Sequence, residues 1–561
     1  MLMSSLVLPG LLSGIALAQT TTYFAPGVPR QTAIPGDYDG QYRPRAHFSP
    51  PQNFMNDPNG FHRDGDGLWH IYYQLNPVEP VAGNQHWGHA TSEDLYHWTN
   101  QKIAIWPFNS TTYVYSGSAV NDPNNTSGFF PDQDNGLVAL YTIAASGGLQ
   151  TQNVAYSRDG GYTFETYADN PVINVGSTQF RDPQVTWHAP TEKWVMAVAY
   201  SQEFAIEFYT SPNLVNWTAV SNFSHYGLLG LQYECPNMVE MPVEGTSNGT
   251  SETMYLLYIS INPGAPLGGS VGQYFPGTFN GTHFEAVDSA FRIADFGKDN
   301  YATQFFSGVP NNERQVSMAW ASNWQYTSVV PTGDTEGWRG QMSLPRYNFL
   351  RKLPQLGGWV MVSEPYNIQA VFSEELAFEN DLGNSSVLAD YLTVPSGALY
   401  FEANVTGLTD ETLVGTLNFT FTSTISGEYV SGGTFIGTDT WMDRGHADGF
   451  ENPYFTDKFS ATGIYGGQGR WRISGVIDRS IIEIFVNGGE QSMTNTFYTN
   501  QPLDTVRIAA NGIAEGATVS VGLWALEDTW ATQANANGTV LGNTTTSGSS
   551  ATSGNSTFLF H

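Results

Sequence analysis

The chain has 561 residues, more than one small core requires, which predicts two domains followed by a tail. Its formal net charge is -30, from 51 acidic and 21 basic residues, so it repels phosphate backbones and no nucleic-acid partner is expected. The 59 glycines, 30 prolines and aromatic content of 14%, without a long 3.6-residue hydrophobic period, favour an all-β fold of short strands.

Residues 1–19 are predicted to form a signal peptide. The apolar run MLMSSLVLPGLLSGIALAQ ends in Ala16-Leu17-Ala18, a small-residue cleavage pattern, although it contains no Lys or Arg and a short buried helix is the alternative. No later segment is long and apolar enough to cross a membrane, so no membrane partner is expected. The predicted location is therefore extracellular or associated with the cell wall.

Asparagine acceptor sequences for N-glycosylation are frequent and support secretion independently. They lie at Asn109, Asn124, Asn125, Asn216, Asn222, Asn248, Asn280, Asn384, Asn404, Asn418, Asn537, Asn543 and Asn555. The single cysteine, Cys235, excludes an intramolecular disulfide, so a secreted fold depends on core burial and attached sugars.

Repeated segments indicate a β-propeller over residues 40–365. Three segments share one pattern, in which a strand ends in Ser, a turn contains Asp or Asn, and an aromatic residue starts the return strand. They are ATSEDLYHWT from Ala90, AYSRDGGYTFE from Ala155 and YTSPNLVNWT from Tyr209, and GTFNGTHFEA from Gly277 is a looser copy. Their spacing is typical of four-stranded blades around a channel. The alternative is that such hairpins recur in any β protein.

Beyond Glu364-Pro365 the pattern changes to strands of period two. The pattern predicts a β-sandwich over residues 376–527. It is seen in ALYFEANV, LNFTFTST and WRISGVIDRSIIEIFVNGG, the last of which contains a hairpin turn at Asn487-Gly488. Residues 531–561 are rich in Ser, Thr, Gly and Asn and predict a flexible, glycosylated tail.

Three acidic residues occur in similar surroundings on three successive predicted blades. Asp57 in MNDPNG, Asp182 in QFRDPQV and Glu234 in YECPNM each precede a proline directly or by one residue. Taken singly, Asp57 can be a turn former, Asp182 the partner of Arg181, and Glu234 a buried hydrogen-bonded acid. Together they can converge at the channel mouth, where two carboxylates about 5 Å apart support retaining glycoside hydrolysis.

These motifs resemble those of the invertases, inulinases and related β-fructofuranosidases of glycoside hydrolase family 32. Seven further segments share the resemblance: WGHATSEDLYHW, YSGSAV, ISINPGAP, FGKDNYA, ASNWQY, ENPYFTDKF and DRSIIEIFVNGG. The resemblance covers about residues 45 to 527. It implies a five-bladed β-propeller followed by a β-sandwich, with the active site at the propeller's centre and no cofactor.

The resemblance also implies roles for the three carboxylates. Asp57 would be the nucleophile, Glu234 the general acid/base and Asp182 the stabiliser of the transition state. Asn56 and turn amides are expected to keep Asp57 ionised, burial and repulsion to keep Glu234 protonated, and Arg181 to keep Asp182 charged.

Further residues of the fructose subsite are implied by the same match: Asn56, Gln74, Trp87, Ser116, Arg181, Asp299, Tyr301 and Trp324. For the two tryptophans, a place in the propeller core is the alternative. No metal site is expected, because the histidines are scattered and the mechanism needs none.

Two positions depart from the family pattern. Ala82 stands where family members carry a Trp, and Tyr115 where Phe is common. Both put the shape of the sucrose site, and the choice of acceptor, in question.

The sequence therefore predicts a secreted, retaining β-fructofuranosidase that hydrolyses sucrose and short fructans from the non-reducing fructose end, with transfer to fructo-oligosaccharides at high sucrose. An exo-inulinase, a dedicated fructosyltransferase and a non-catalytic fructan-binding lectin are the alternatives. A homodimer is an assembly that the sequence allows.

Overall fold

A computed structural model describes residues 22–245, 252–353 and 358–530. The predicted signal peptide and tail, and the acceptor asparagines Asn248, Asn537, Asn543 and Asn555, lie outside the described residues. The described part is built mostly from antiparallel strands, with one short helix, α1 (Thr332–Glu336), and 3-10 turns at Ala189–Thr191, Ser201–Glu203, Thr327–Val329 and Ile368–Val371.

The first four blades are antiparallel sheets whose strands follow one another along the chain. Blade 1 contains β1 (Asn53–Arg63), β2 (Trp69–Asn76), β3 (His86–Ser92) and β4 (Trp98–Asn100). Blade 2 contains β5 (Thr112–Asn121), β6 (Leu137–Ala145), β7 (Gln150–Ser157) and β8 (Glu165–Thr166). Blade 3 contains β9 (Phe180–His188), β10 (Lys193–Tyr200), β11 (Ala205–Ser211) and β12 (Thr218–Ser224). Blade 4 contains β13 (Tyr233–Glu244), β14 (Glu252–Ile261), β15 (Val271–Phe279) and β16 (Phe284–Ala286), with β17 (Arg292–Ile293) beside β15.

The last blade completes a closed ring. It contains β18 (Tyr301–Phe305), β19 (Gln315–Trp320), β21 (Arg346–Leu353) and β22 (Gly358–Pro365), while the intervening β20 (Trp338–Arg339) pairs in parallel with β1 of blade 1. The inner strands contact one another in the order β1, β5, β9, β13, β18 and back to β1. The all-β propeller predicted from the sequence is therefore confirmed. In the part of the chain that the structure describes, the strands form five such groups around the axis.

The repeated sequence segments are the hairpins between the third and fourth strands of blades 1 to 4. Their shared residues close the turn: Ser92 Oγ accepts the Leu95 N–H at 2.8 Å, and Ser157 Oγ accepts the Gly161 N–H at 2.8 Å. In blade 3 the Asn213 side chain accepts the Asn216 N–H at 2.9 Å. Short polar side chains that bond nearby amides explain why the pattern recurs in these blades.

The second domain is a β-sandwich of two six-stranded sheets. One sheet has the order β23 (Phe372–Glu379), β34 (Thr518–Leu526), β25 (Ala398–Thr406), β30 (Arg470–Asp478), β31 (Ile481–Val486) and β32 (Gln491–Thr496). The other has the order β24 (Ser386–Asp390), β33 (Thr505–Asn511), β26 (Thr416–Thr422), β27 (Tyr429–Phe435), β28 (Asp439–His446) and β29 (Lys458–Thr462). The Asn487-Gly488 turn between β31 and β32 has positive φ at both residues, 50° and 72°, as the sequence predicted.

Buried ion pairs join the propeller to the sandwich. Arg346 of blade 5 bonds Glu483 at 2.6 Å and Asp295 at 3.1 Å. His47, in the segment before β1, lies 2.8 Å from Asp478 and 3.4 Å from Glu483. Because these groups are almost fully removed from solvent, their mutual pairing offsets the cost of burying charge and fixes how the two domains meet.

None of the helices in the described ranges is long and apolar enough to cross a bilayer.

Candidate active site

All five inner strands carry an irregularity of register at the same level of the propeller. It lies between Met55 and Pro58 in β1, and the other four fall at 114–117, 181–184, 234–237 and 301–304. A bulge redirects side chains and releases backbone groups from the ladder. NFMNDPNGFH is therefore one bulged strand rather than a turn, and the bulge lets Asp57 leave the strand's usual alternation.

Three of the bulges include a residue with positive φ: Asp182 at 66°, Cys235 at 45° and Ala302 at 52°. Such backbone is costly for residues with a side chain and persists only where the surroundings impose it. It places the Asp182 carboxylate and the Cys235 thiol side by side on the propeller axis.

Asp57 lies beside these two groups at the centre of the propeller, a region called the axial pocket below, and is almost fully buried. Its Oδ2 accepts a 2.8 Å hydrogen bond from Ser116 and faces the Cys235 thiol at 3.4 Å, while Oδ1 accepts no hydrogen bond of good geometry within the described ranges. Burial and then the charge of Glu234 raise the pKa of Asp57, although the side chains of Ser116, Asn56 and Cys235 lower it.

Asp182 is the second buried acid. The backbone N–H of Cys235 donates to its Oδ2 at 3.0 Å, and its own N–H donates to Thr142 at 3.0 Å. Burial raises the pKa of Asp182 to about 7, because the lowering effect of Arg181 is opposed by the charges of Glu234 and Asp57.

Glu234, the third acid, is the closest partner of Arg181. The guanidinium donates from Nη2 at 2.8 Å and from Nε at 3.1 Å to Oε1, and Tyr301 donates at 2.5 Å to Oε2. Arg181 Nε is 4.0 Å from Asp182. The charge of Arg181 lowers the pKa of Asp182, in the direction expected, but Arg181 pairs more closely with Glu234 on blade 4.

Cys235 joins the nucleophile candidate to the second acid. Its Sγ lies 3.4 Å from Asp57 and 3.6 Å from Asp182, and burial, followed by the charges of the neighbouring acids, raises the pKa of the thiol far above its usual value. A protonated S–H therefore donates to the carboxylates. In the sequence Cys235 excludes an intramolecular disulfide, but nothing in its spacing indicates this contact.

Three more predicted subsite residues differ in their surroundings. Gln74 on β2 is buried and neither atom of its amide has a hydrogen-bond partner within the described residues. Trp87 is fully buried in the core between blades 1 and 2, with its indole N–H on the Tyr115 carbonyl at 3.1 Å. Trp324 is half-buried, with its ring centre 4.9 Å from that of Trp320. The structure thus places Trp87 in the core, the alternative considered from the sequence.

Asp299 lies at the interface between the domains instead of facing the pocket. Arg444 of the sandwich donates to its Oδ2 at 2.8 Å, the Thr496 N–H donates at 2.9 Å, and the Tyr326 hydroxyl bonds its Oδ1. Both oxygens are occupied and the residue is fully buried. The predicted substrate contact is corrected accordingly, because the carboxylate is needed to neutralise a buried arginine.

The two departures from the family pattern differ in their surroundings. Ala82 is exposed in the loop between β2 and β3, where Asn76 holds the Val81 carbonyl at 2.9 Å. Tyr115 is half-buried beside Ser116, and its pKa is raised by burial while the nearby Arg181 lowers it.

Within the residues that the structure describes, no group of three or more His, Cys, Asp or Glu side chains forms a metal-binding cluster. The chemistry available is that of an axial pocket holding three carboxylates, an arginine, a tyrosine and a thiol. Such a set of acids around a pocket is that of a glycoside hydrolase.

The chain belongs to glycoside hydrolase family 32. The model of the Glycosyl hydrolases family 32 N-terminal domain matches residues 47–356, and that of the family's C-terminal domain matches residues 437–525. The extracellular exo-inulinase of Meyerozyma guilliermondii is 42% identical over 472 residues, 81% of this chain and 90% of the relative. Invertase 2 of Saccharomyces cerevisiae is 38% identical over 487 residues, 81% of this chain and 89% of the relative.

A solved structure shares the architecture. The β-fructofuranosidase of Schwanniomyces occidentalis complexed with fructosyl-erythritol is 35% identical, with a TM-score of 0.79, and the match covers 87% of this chain and 98% of that one. The sequence resemblance to family 32 is confirmed, and the chain is a glycoside hydrolase.

Proposed function

We propose that this protein is a secreted, retaining β-fructofuranosidase that releases fructose from sucrose and short fructans. Asp57 acts as the nucleophile, Glu234 as the general acid/base, and Asp182 binds fructose hydroxyls more tightly in the transition state. The observation that carries the proposal is the meeting of these acids from three blades in one axial pocket, on a chain similar to invertases and exo-inulinases.

The hydrogen bonds of Asp57 and Glu234 bear on these roles. Oδ1 of Asp57 has no hydrogen-bond partner of good geometry within the described residues, while Ser116 and Cys235 hold Oδ2, so one oxygen is free for the anomeric carbon. Glu234 has a hydroxyl partner in Tyr301, through which a proton can be exchanged or held as the leaving group departs. Burial keeps water from screening these charges.

The other parts of the subsite are proposed from the same geometry. Asn56, Gln74, Ser116 and Arg181 are buried polar residues, and Gln74 offers an amide that no described group satisfies. Because unpaired buried amides are costly, a sugar hydroxyl is a suitable partner for Gln74. Trp324 offers a half-exposed ring for an apolar sugar face.

Secretion is proposed from the apolar residues 1–19 and the many acceptor asparagines, and it agrees with the extracellular relative. The domain limits proposed are 40–365 for the propeller and 376–527 for the sandwich, with residues 531–561 as a tail. A homodimer is proposed as the assembly.

Transfer of fructose to sugar acceptors is proposed at high sucrose concentration. The fructosyl-Asp57 intermediate is resolved by whichever hydroxyl reaches it. Ala82 is exposed. Its methyl group is smaller than the Trp that the family resemblance implies at this position, and the proposal is that the difference leaves room for a sugar acceptor. The Schwanniomyces occidentalis relative binds fructosyl-erythritol, a fructoside of an alcohol.

Two experiments test the proposal. Asp57→Ala should fold and lose several orders of magnitude in kcat, and Glu234→Gln should fail on sucrose but still give a burst with a fructoside whose leaving group needs no proton. A folded Asp57→Ala variant that kept more than a small fraction of sucrase activity would refute the nucleophile assignment.

Product analysis separates invertase, exo-inulinase and fructosyltransferase. Wild-type protein is incubated with inulin or with dilute or concentrated sucrose, and glucose, fructose and trisaccharides are resolved. We expect equal glucose and fructose in dilute sucrose, and a glucose excess with trisaccharides in concentrated sucrose. Turnover of inulin faster than sucrose would instead assign the protein as an exo-inulinase.

A further inference from the structure

A second cavity, of about 360 Å³, lies at the end of the propeller axis opposite the three acids. Residues that follow the bulge of each of the five inner strands line it. Side-chain bonds close the axis between the two ends: Gln304 bridges the Gly117 carbonyl at 3.0 Å and the Phe61 N–H at 2.8 Å, and Asn237 bonds the Thr303 carbonyl at 3.0 Å. This distal cavity is therefore separate from the candidate active site.

The distal cavity has the chemistry of a sugar site. Trp187 is half-buried, with its ring centre 5.0 Å from that of the buried Trp194. Polar groups surround this aromatic wall, including Gln184 and the pair formed by Asn311 and Glu240, whose Nδ2 and Oε2 lie 2.8 Å apart. An aromatic surface with a few amides and carboxylates suits the apolar face and hydroxyls of a sugar, and the volume lies in the usual range of about 300–1,000 Å³ for small-molecule sites.

Asn124 stands on the rim of this cavity. It follows Pro123 at the corner of a turn closed by the Asn125 N–H on the Asp122 carbonyl at 3.0 Å. Its side chain is exposed and makes no hydrogen bond with any other described residue. It also begins the acceptor sequence Asn124-Asn125-Thr126, which overlaps a second one, Asn125-Thr126-Ser127.

Asn125 has a structural task that Asn124 lacks. Its Oδ1 accepts the Phe130 N–H at 2.8 Å, its φ is 48°, and its side chain is half-buried. Thr126 is also held in the loop, because its hydroxyl donates to Asp122 at 2.9 Å and accepts the Trp194 indole N–H at 2.8 Å. The loop therefore presents Asn124 outward and keeps Asn125 against the protein.

We propose that Asn124, and not Asn125, carries an N-linked oligosaccharide, and that its first sugars lie in the distal cavity against Trp187. The donor is a lipid-linked oligosaccharyl diphosphate: a bond forms from the first sugar's C1 to Nδ2, the bond from C1 to the diphosphate oxygen breaks, and one amide proton is released. The inference depends on the proposed secretion but not on the proposed reaction.

The first test maps the attachment site. The full chain is secreted from a eukaryotic host, and the glycan is released enzymatically in heavy-oxygen water so that a former glycan site gains the label as aspartate. We expect the label on residue 124 in wild type. Asn125→Gln, which preserves the first acceptor sequence, should keep the glycan on residue 124, and Asn124→Gln should lose it. Label mainly on Asn125, or on neither residue, would overturn the inference.

The second test asks where the sugars lie. An endoglycosidase that cuts between the first two sugars is applied to native and to denatured wild-type protein, and cleavage at residue 124 is followed by peptide mass. We expect at least tenfold slower cleavage in the native protein, and a rate close to the denatured one in Trp187→Ala. Equal rates in native and denatured wild type would overturn the placement in the cavity without requiring any variant.

Sucrose hydrolysis is measured on the same samples. An active enzyme without a glycan at Asn124 would refute only this inference, whereas a glycosylated but inactive protein would refute only the proposed reaction.

Discussion

The buried His47 makes the stability of the protein dependent on pH in the alkaline range. Burial alone lowers the pKa of an imidazole, but the hydrogen bond that the ring donates to Asp478, together with the nearby Glu483 carboxylate, raises the pKa of His47 to about 9. A histidine in the unfolded chain titrates near 6.5. The charged form is therefore favoured by folding, and its contribution is fully present below about pH 6.5 and is lost as the pH rises to 9.

The size of the effect follows from this difference in pKa. At roughly 1.4 kcal/mol per unit, raising the pKa from 6.5 to about 9 corresponds to ~3 kcal/mol of stability below pH 6.5. His47→Gln removes the charge and leaves two buried carboxylates with one partner fewer. The variant should be destabilised by about that amount at pH 6, and much less at pH 9.5.

The assay is thermal unfolding of wild type and His47→Gln at pH 6 and pH 9.5, at one scan rate. We expect the Tm of His47→Gln to be several degrees below that of the wild type at pH 6, and this difference to shrink severalfold at pH 9.5. His283→Gln, at an exposed position, is the matched control. A Tm difference of the same size at both pH values would show that His47 acts by packing and not by charge.

Three further outcomes are expected. Asp182→Asn should stabilise the protein at pH 7 and not at pH 4. Burial first, and then the neighbouring acids, raise the pKa of Asp182 to about 7, so the stability of the wild type falls as the pH rises from about 4 to 7. Comparing the Tm of the variant and the wild type at both pH values checks this. Asp299→Asn should lower the Tm by leaving Arg444 without its anion, yet change KM for sucrose less than twofold; a large rise in KM would show a substrate contact instead. Ala82→Trp should lower the ratio of transfer to hydrolysis in concentrated sucrose, and an equal or higher ratio would dismiss the open-space explanation.

Local chemistry explains why the fold could be predicted from the sequence. The Ser and Asp or Asn residues of each repeat bond amides within their own hairpin, so the repeat can be recognised without knowing its neighbours. Alternating strands and the Asn487-Gly488 turn similarly depend only on adjacent residues.

Contacts between blades were not accessible in the same way. Arg181 bonds Glu234, which is 53 residues away, and not chiefly its neighbour Asp182. Asp299 is paired with Arg444 across the domain interface, 145 residues away. Whether Trp87 lies in the core or the pocket likewise depended on how blades 1 and 2 pack. Residue type alone leaves such partners open, because a buried charge can be satisfied by any group the fold brings near it.

The parallel pairing of β20 with β1 has a consequence for how the chain folds. Asn53 pairs with Trp338, so this closure of the ring joins residues nearly three hundred positions apart, after blades 2 to 4 have been synthesised. Loop closure over that distance is entropically unfavourable and slow, whereas each blade forms from neighbouring strands. Blades can therefore form one after another during synthesis, while the axial pocket, which needs Asp57 from the first blade and Tyr301 from the last, is completed at the end.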